Sequence, residues 1–393
     1  MTKSDRSLRP RTLQVRGGLA RSQFKETSEA LFLNSGFVYD SALEAEQSFD
    51  GTISRMVYSR FKNPTVAMFE DRLAAIEGAP ACKATATGMA AVHAAILCQV
   101  RAGDRVVASR ALFGSCQWIL AELLPRYGVT VEFVSGTDLN QWKHALSQPT
   151  RLVFLESPSN PTLEVIDIRA VSDLSHAAGA VVVVDNVFAT PILQSPFTLG
   201  ADVVVYSATK HMDGQGRCLG GAVLGSAEFC NDVLGPYLRN TGPTLSPFNA
   251  WVLVKSLETL DLRVERACAN ALRLAEFLST RPEFSKVLYP GLNTHPQHEL
   301  VLKQMRGFGS LIAFELKGGK QAAYSLLDKL EVVDISNNLG DSKSLICHPW
   351  TTTHQRLSSD DKLAMGITEG FIRLSVGLED VDDLVEDFAL ALT

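Results

Sequence analysis

Between residues 105 and 206 the chain alternates short, largely apolar runs with longer stretches whose apolar residues recur at helical spacing. The short runs are Arg105-Val106-Val107-Ala108, Val129 to Val134, Leu152-Val153-Phe154-Leu155, Val181-Val182-Val183-Val184 and Val203-Val204-Val205-Tyr206. A β-branched run without polar alternation has no solvent face, so these segments read as strands buried on both sides. Such strands, separated by helices, predict an α/β fold with a mostly parallel sheet covered on both faces. The pattern starts at Asn63-Pro64, where Asn63 suits a helix cap and Pro64 the first helical position. Val66, Phe69, Leu73 and Ile76 follow at helical spacing until Gly78.

On either side of this block the pattern changes. Residues 1–60 carry scattered apolar positions with no sustained period and are expected to form an extended N-terminal arm. A long helical pattern from Pro247 to Ser279 leads to more widely separated strands, Leu311 to Leu316 and Phe371 to Val376, among helices that end with Val381 to Leu392. The expected organisation is an arm over 1–60, a large domain over 61–255 and a smaller C-terminal α/β domain over 256–393.

Composition narrows the function. With 393 residues, 46% of them hydrophobic, the chain can bury two cores without staples. A net charge of -6, with no long run of Lys or Arg, disfavours a nucleic-acid or membrane-surface partner and leaves a small molecule as the expected one. The seven cysteines form no C-x-x-C pair and read as reduced thiols rather than as disulfides or a zinc site. Met1 to Arg21 lacks the apolar core of a signal peptide, Asp5 argues against a transit peptide, and no stretch reaches about 18 apolar residues, so the expected location is the cytoplasm.

Candidate chemistry clusters at strand ends. Ser207-Ala208-Thr209-Lys210 directly follows the strand Val203 to Tyr206, and open α/β sheets bind ligands beyond such ends. Asp185 ends the fully apolar run Val181 to Val184, where a carboxylate needs a cation or good hydrogen bonds. A protonated pyridine nitrogen would serve, and would make its ring an electron sink. Thr87-Gly88-Met89 precedes a helical run from Ala90 to Cys98, so the N–H groups of Gly88 and Met89 offer an anion site, to which Ser207 and Thr209 can add hydroxyls. Phosphate cradle, pyridinium acid and lysine thus occur in one chain order.

The chain resembles the Cys/Met-metabolism enzymes that depend on pyridoxal 5′-phosphate (PLP). The segments that carry the resemblance are Tyr58-Ser59-Arg60-Phe61-Lys62-Asn63-Pro64-Thr65, Thr87-Gly88-Met89, Glu156-Ser157-Pro158-Ser159-Asn160-Pro161, Asp185-Asn186, Ser207-Ala208-Thr209-Lys210 and Arg373-Leu374-Ser375-Val376-Gly377. It implies the fold-type-I architecture, with a mostly parallel seven-stranded sheet in the large domain. It also implies a Schiff base at Lys210, pyridinium pairing at Asp185, and phosphate contacts from Gly88, Met89, Ser207 and Thr209. Tyr58 and Arg60 would reach a neighbouring subunit's cofactor, with Tyr58 also catalytic, which makes the expected assembly a homotetramer of dimers that share active sites. Arg373, assisted by Asn160 and Ser344, would bind the substrate carboxylate. Where many members stack a tyrosine on the cofactor this chain has Phe113, which keeps the stacking and loses the phenol.

Within that family, Phe113-Gly114-Ser115, His211 to Arg217 and Thr241 to Trp251 are most similar to the O-succinylhomoserine sulfhydrylase branch. The reaction this implies is γ-replacement with sulfide, giving homocysteine for methionine biosynthesis. Cystathionine formation and β- or γ-elimination use the same kind of site and remain open, as do succinyl against acetyl ester and the identity of the sulfur donor. A nicotinamide-dependent oxidoreductase is disfavoured, because in Gly214-Gln215-Gly216-Arg217-Cys218-Leu219-Gly220 the third glycine falls late and a strand-like Ala222-Val223-Leu224 follows. His295, His298, Cys347 and His348 lack metal-ligand spacing, and no metal is expected.

Overall fold

The computed structural model describes residues 8–393; the start of the arm, with Asp5, lies outside the described residues. The first helical segments are α1 (Pro10–Arg16), α2 (Ala42–Phe49), α3 (Pro64–Glu77), α4 (Gly88–Leu97) and α5 (Gly114–Trp118). In α3, Asn63 Oδ1 accepts from the backbone N–H groups of Thr65 and Val66, Pro64 occupies the first turn, and Gly78 closes the helix in the left-handed conformation at φ 78°.

Seven strands form the large sheet: β1 (Ala81–Thr85), β2 (Arg105–Ser109), β3 (Thr130–Val134), β4 (Leu152–Glu156), β5 (Val181–Asp185), β6 (Val203–Ser207) and β7 (Gly221–Gly225). Their order is β1-β7-β6-β5-β4-β2-β3. Neighbours from β6 through β3 run parallel, while β7 is antiparallel to both β6 and β1. The apolar runs are explained by the layering. Val182, Val184 and Val204 pack with Phe69 and Leu73 of α3 and with Leu253, whereas Val183, Val203 and Val205 pack with Ala91, Ala95 and Ile96 of α4 on the other face. Each buried valine contributes about 1.5–3 kcal/mol, so neither face tolerates a polar residue. The edge strand β1 has no counterpart in the expected strands, because Ala-Cys-Lys-Ala-Thr is short on β-branched residues and owes its conformation to pairing with β7.

A second sheet contains β8 (Phe284–Leu288), β9 (Leu311–Leu316), β10 (Asp334–Ile335), β11 (Leu345–Cys347) and β12 (Phe371–Ser375), in the order β10-β11-β12-β9-β8. Leu274 and Leu278 from the helix Leu260–Ser279, with Leu384 and Phe388 from the helix Val381–Ala391, cover it. The expected extended arm requires correction. It contains two helices, and α1 docks on the chain itself: Gln14 is buried and accepts from the Asp261 N–H at 3.1 Å. Much of the remaining arm exposes apolar side chains, with Phe24 at 82% and Val38 at 87%. Among the described residues no helix is long and apolar enough to cross a membrane.

Candidate active site

The C-terminal ends of β4, β5 and β6 open into a cavity of about 420 Å³. Lys210, Asp185, Gly88, Met89, Phe113, Ser207, Thr209, Asn160 and Arg373 all line it. Parallel strands bring this about, because they deliver residues distant in sequence to one edge of the sheet.

Lys210 follows β6 by three residues and its Nζ donates to Asn338 Oδ1 at 2.6 Å. Burial, aided by the positive charge of Arg373, lowers its pKa to about 8. Asp185 closes β5 at 8% exposure and accepts from the Val187 N–H at 3.1 Å. Burial raises its pKa to about 7, and among the described residues it has no ion-pair partner. A buried carboxylate is stabilised by an adjacent cation, and a ring N–H⁺ is a suitable partner.

The helix α4 begins two residues earlier than the sequence pattern suggests, so Gly88 and Met89 form its first turn, with Thr87 as cap accepting from the Ala90 N–H at 3.0 Å. Gly88 is obligatory here, since a Cβ would stand 2.4 Å from the Ser207 Cβ. This close approach of α4 to the end of β6 places free backbone N–H groups beside the Ser207 hydroxyl, a suitable cradle for phosphate. The Thr209 hydroxyl is shared with Gly220, accepting from its N–H at 3.1 Å and facing its carbonyl at 3.2 Å.

Arg373, in the middle of the second sheet and 2% exposed, completes the far wall. Its Nη1 donates to Asn160 Oδ1 at 3.0 Å and its Nη2 to the carbonyls of Asn337 and Asn338 at 2.9 and 3.2 Å. Nε is buried and has no partner, which leaves an oriented cationic donor for an anionic ligand.

Three expected residues lie elsewhere. Ser344 does not line the cavity: its hydroxyl donates to Glu379 Oε2 at 2.9 Å and accepts from the Gly377 N–H at 2.9 Å. The loop residues Asn337 and Asn338 stand where Ser344 was expected, because Ser344, immediately before β11, is tied instead to Glu379 and Gly377. Tyr58 and Arg60 are on the exposed arm, with the Arg60 guanidinium 5.4 Å from the Tyr58 ring centroid and bonded to the Arg239 carbonyl. The sequence reading also passed over Glu156, although Leu152-Val153-Phe154-Leu155-Glu156 repeats the apolar-run-plus-acid signature of Asp185. Nothing in the sequence marks Asn337 and Asn338 as pocket residues.

A primary amine, an unpaired acid and an anion cradle, held round one cavity at the ends of parallel strands, fit a phosphorylated pyridine aldehyde and define a PLP-dependent enzyme of fold type I. The seven-stranded sheet is the corresponding scaffold. The chain belongs to the Cys/Met metabolism PLP-dependent enzyme family, whose profile matches residues 11–393. It is 55% identical over 386 residues to an O-succinylhomoserine sulfhydrylase of Mycobacterium tuberculosis (strain H37Rv), covering 97% of this chain and 95% of the relative. An O-succinylhomoserine sulfhydrylase of Pseudomonas aeruginosa is 48% identical, with 97% and 94% covered. A crystal structure from Campylobacter jejuni subsp. jejuni, in which a lysine is present as N′-pyridoxyl-lysine-5′-monophosphate, superposes with a TM-score of 0.93 at 32% identity, covering 98% of this chain and all of the other.

Proposed function

We propose that the protein makes homocysteine from O-succinylhomoserine and sulfide by γ-replacement, with release of succinate. The observation that carries this reading is the pairing, across one cavity, of the Lys210 amine with Arg373, whose Nε is left without a partner. The 55% and 48% identities to O-succinylhomoserine sulfhydrylases support the choice of ester and acceptor.

Lys210 would hold PLP through its aldehyde carbon, Asp185 would pair with the ring nitrogen, and Phe113 would stack on the ring. Gly88, Met89, Ser207 and Thr209 would take the phosphate. When bound, PLP supplies an electron sink for negative charge at the substrate's α- and β-carbons. Arg373, oriented by Asn160, binds the substrate α-carboxylate and thereby fixes the α-carbon next to Lys210. With a pKa near 8, Lys210 has a usable neutral fraction at physiological pH and can take the proton from the α-carbon and, only after delivering that proton and regaining its neutral form, the proton from the β-carbon. Loss of the γ-ester as succinate opens the γ-carbon to hydrosulfide, and Lys210 returns the protons. Product formation therefore exchanges one C–O bond for one C–S bond with no net redox change.

Tyr58 and Arg60 would complete the phosphate site of a neighbouring subunit, with Tyr58 contributing to catalysis there, in a cytoplasmic homotetramer of dimers. Their place on the exposed arm, away from the cavity of their own chain, supports this assembly. The division into an arm over 1–60 and domains over 61–255 and 256–393 belongs to the same reading.

The test is purified protein with PLP, O-succinylhomoserine and either sulfide, cysteine or no acceptor. Homocysteine formed only with sulfide is the expected result, and Lys210→Ala should abolish both turnover and covalent retention of PLP. Cystathionine from cysteine, or an oxo acid without acceptor, as the main product would replace the proposed reaction.

A further inference from the structure

We propose that Glu156 is a positioning residue that holds a second carboxyl of the cavity as a neutral acid, so that a single negative charge on the cavity floor resides on Asp185. The inference rests on the reading above, in which Asp185 meets the ring nitrogen of PLP.

Glu156 and Asp185 are register partners at the C-terminal ends of the adjacent parallel strands β4 and β5. Residues in register on neighbouring strands project to the same face, and both side chains line the cavity. They are 3% and 8% exposed, and among the described residues neither forms an ion pair. Each has a backbone donor: Glu156 Oε2 accepts from the Phe113 N–H at 2.8 Å, and Asp185 Oδ1 from the Val187 N–H at 3.1 Å. The Asn160 backbone also favours the ionised form of Glu156, but these few amides do not offset two buried charges side by side, so one proton stays in the pair.

The surroundings decide which carboxyl keeps it. The titratable and charged groups that face Glu156 are Asp185 from β5, the Cys116 thiol from α5 and the Arg373 guanidinium from β12. Arg373 spends its Nη groups on Asn160 and two backbone carbonyls, and makes no ion pair with Glu156. Burial and then Asp185 push the Glu156 carboxyl above the usual carboxylate range, and burial raises Asp185 as well, so each disfavours the other's charge. A cationic ring nitrogen at Asp185 favours ionisation there, which leaves the shared proton on Glu156. Glu156 then acts through its neighbours. It anchors the backbone of Phe113, the stacking wall, and its neutrality avoids a second negative charge that would compete with Asp185 for the pyridinium.

The experiment compares infrared spectra of native holoenzyme and Glu156→Gln holoenzyme near neutral pH, together with PLP affinity of the two apoproteins and of Glu156→Leu. We expect the native-minus-Gln difference to show a protonated carboxyl stretch that persists above the pH range in which ordinary carboxyls ionise. Gln, which can still accept from Phe113, should weaken PLP binding by no more than about threefold, and Leu, which cannot, by at least about tenfold. A carboxylate band in the difference spectrum, or equal weakening by Gln and Leu, would overturn the proposal. Should Glu156→Gln not fold, the same spectral comparison is made with Glu156→Asp, which keeps a carboxyl; an unprotonated carboxyl at that position would count against the proposal just as firmly. Failure of native protein to bind PLP would instead strike at the proposed function, so the two failures are distinguishable.

Discussion

Lys210 Nζ donates to the side-chain oxygen of Asn338 at 2.6 Å, and the backbone carbonyl of Asn338 accepts from Arg373 at 3.2 Å. One loop residue from the smaller sheet's side of the cavity thus ties the amine of the large sheet to the cationic far wall. Asn338 offers an acceptor to a buried ammonium, which stabilises the charged form. Asn338→Ala should therefore lower the Lys210 pKa below about 8 by about one unit, and Asn338→Asp should raise it. The pH dependence of Lys210 modification in the apoprotein measures the shift directly.

Replacement of Gly88 by alanine should be costly even though the change is one methyl group. The added Cβ would lie 2.4 Å from the Ser207 Cβ and 2.7 Å from its Cα, both on a strand that cannot retreat. Overpacking of this kind costs about 1–3 kcal/mol, and relief by moving α4 outward would also open the phosphate cradle. The expected result is a lower Tm together with PLP affinity reduced about tenfold or more. A full-affinity variant with only a lower Tm would separate the helix start from the phosphate site.

Arg373→Lys tests whether the guanidinium acts as a geometric clamp or as a simple charge. A lysine would keep the cation but could not hold Asn160, two carbonyls and a substrate carboxylate at once. We expect kcat/KM to fall about 100-fold, mainly through KM, because the interaction is made with bound substrate before and during the reaction. A kcat effect with unchanged KM would assign Arg373 to the chemical step instead.

How much of this was legible beforehand follows from what each residue depends on. Lys210, Asp185 and Gly88 owe their positions to local signals, an apolar strand followed by an acid or a lysine and a cap followed by a helix, and the sheet then gathers them. Asn337 and Asn338 depend on how the second sheet sits against the first, a long-range arrangement that leaves no periodic trace. Ser344 lies away from the cavity for the same reason, since it stands at the end of their loop, immediately before β11, and bonds to Glu379. The helices of the arm were missed because α1 and α2 span only seven and eight residues, too few for a clear period, and α1 is fixed by its contact with the body. Glu156 is a different case, for its signal was present in the strand that carries it.

Glu77, the last residue of α3, allows a pH prediction whose sign follows from burial alone. Its side chain is buried behind the cavity, where the Tyr206 hydroxyl donates to Oε2 and in turn accepts from Asn186 Nδ2 at 2.6 Å; Oε1 has no partner. Burial raises its pKa to about 8, against the smaller opposing effects of the Tyr206 hydrogen bond and the Arg306 charge. Between the ordinary value of 4.5 and about 8 the native protein keeps a proton that the unfolded chain has released. Native protein binds more protons than unfolded protein in that window, so this group's contribution to stability is complete at low pH and is lost as pH rises through about 8. Gln cannot titrate, yet its carbonyl can still accept from Tyr206. The stability of Glu77→Gln relative to the parent should therefore improve with pH, by about 1.4 kcal/mol per unit across the window, and Tm measured for both proteins at a series of pH values would show the two curves converging and then crossing, or separating in favour of the variant. Parallel curves from pH 5 to pH 8 would mean that Glu77 is already ionised in the native state, and that Tyr206 and Asn186 hold a carboxylate rather than an acid behind Asp185.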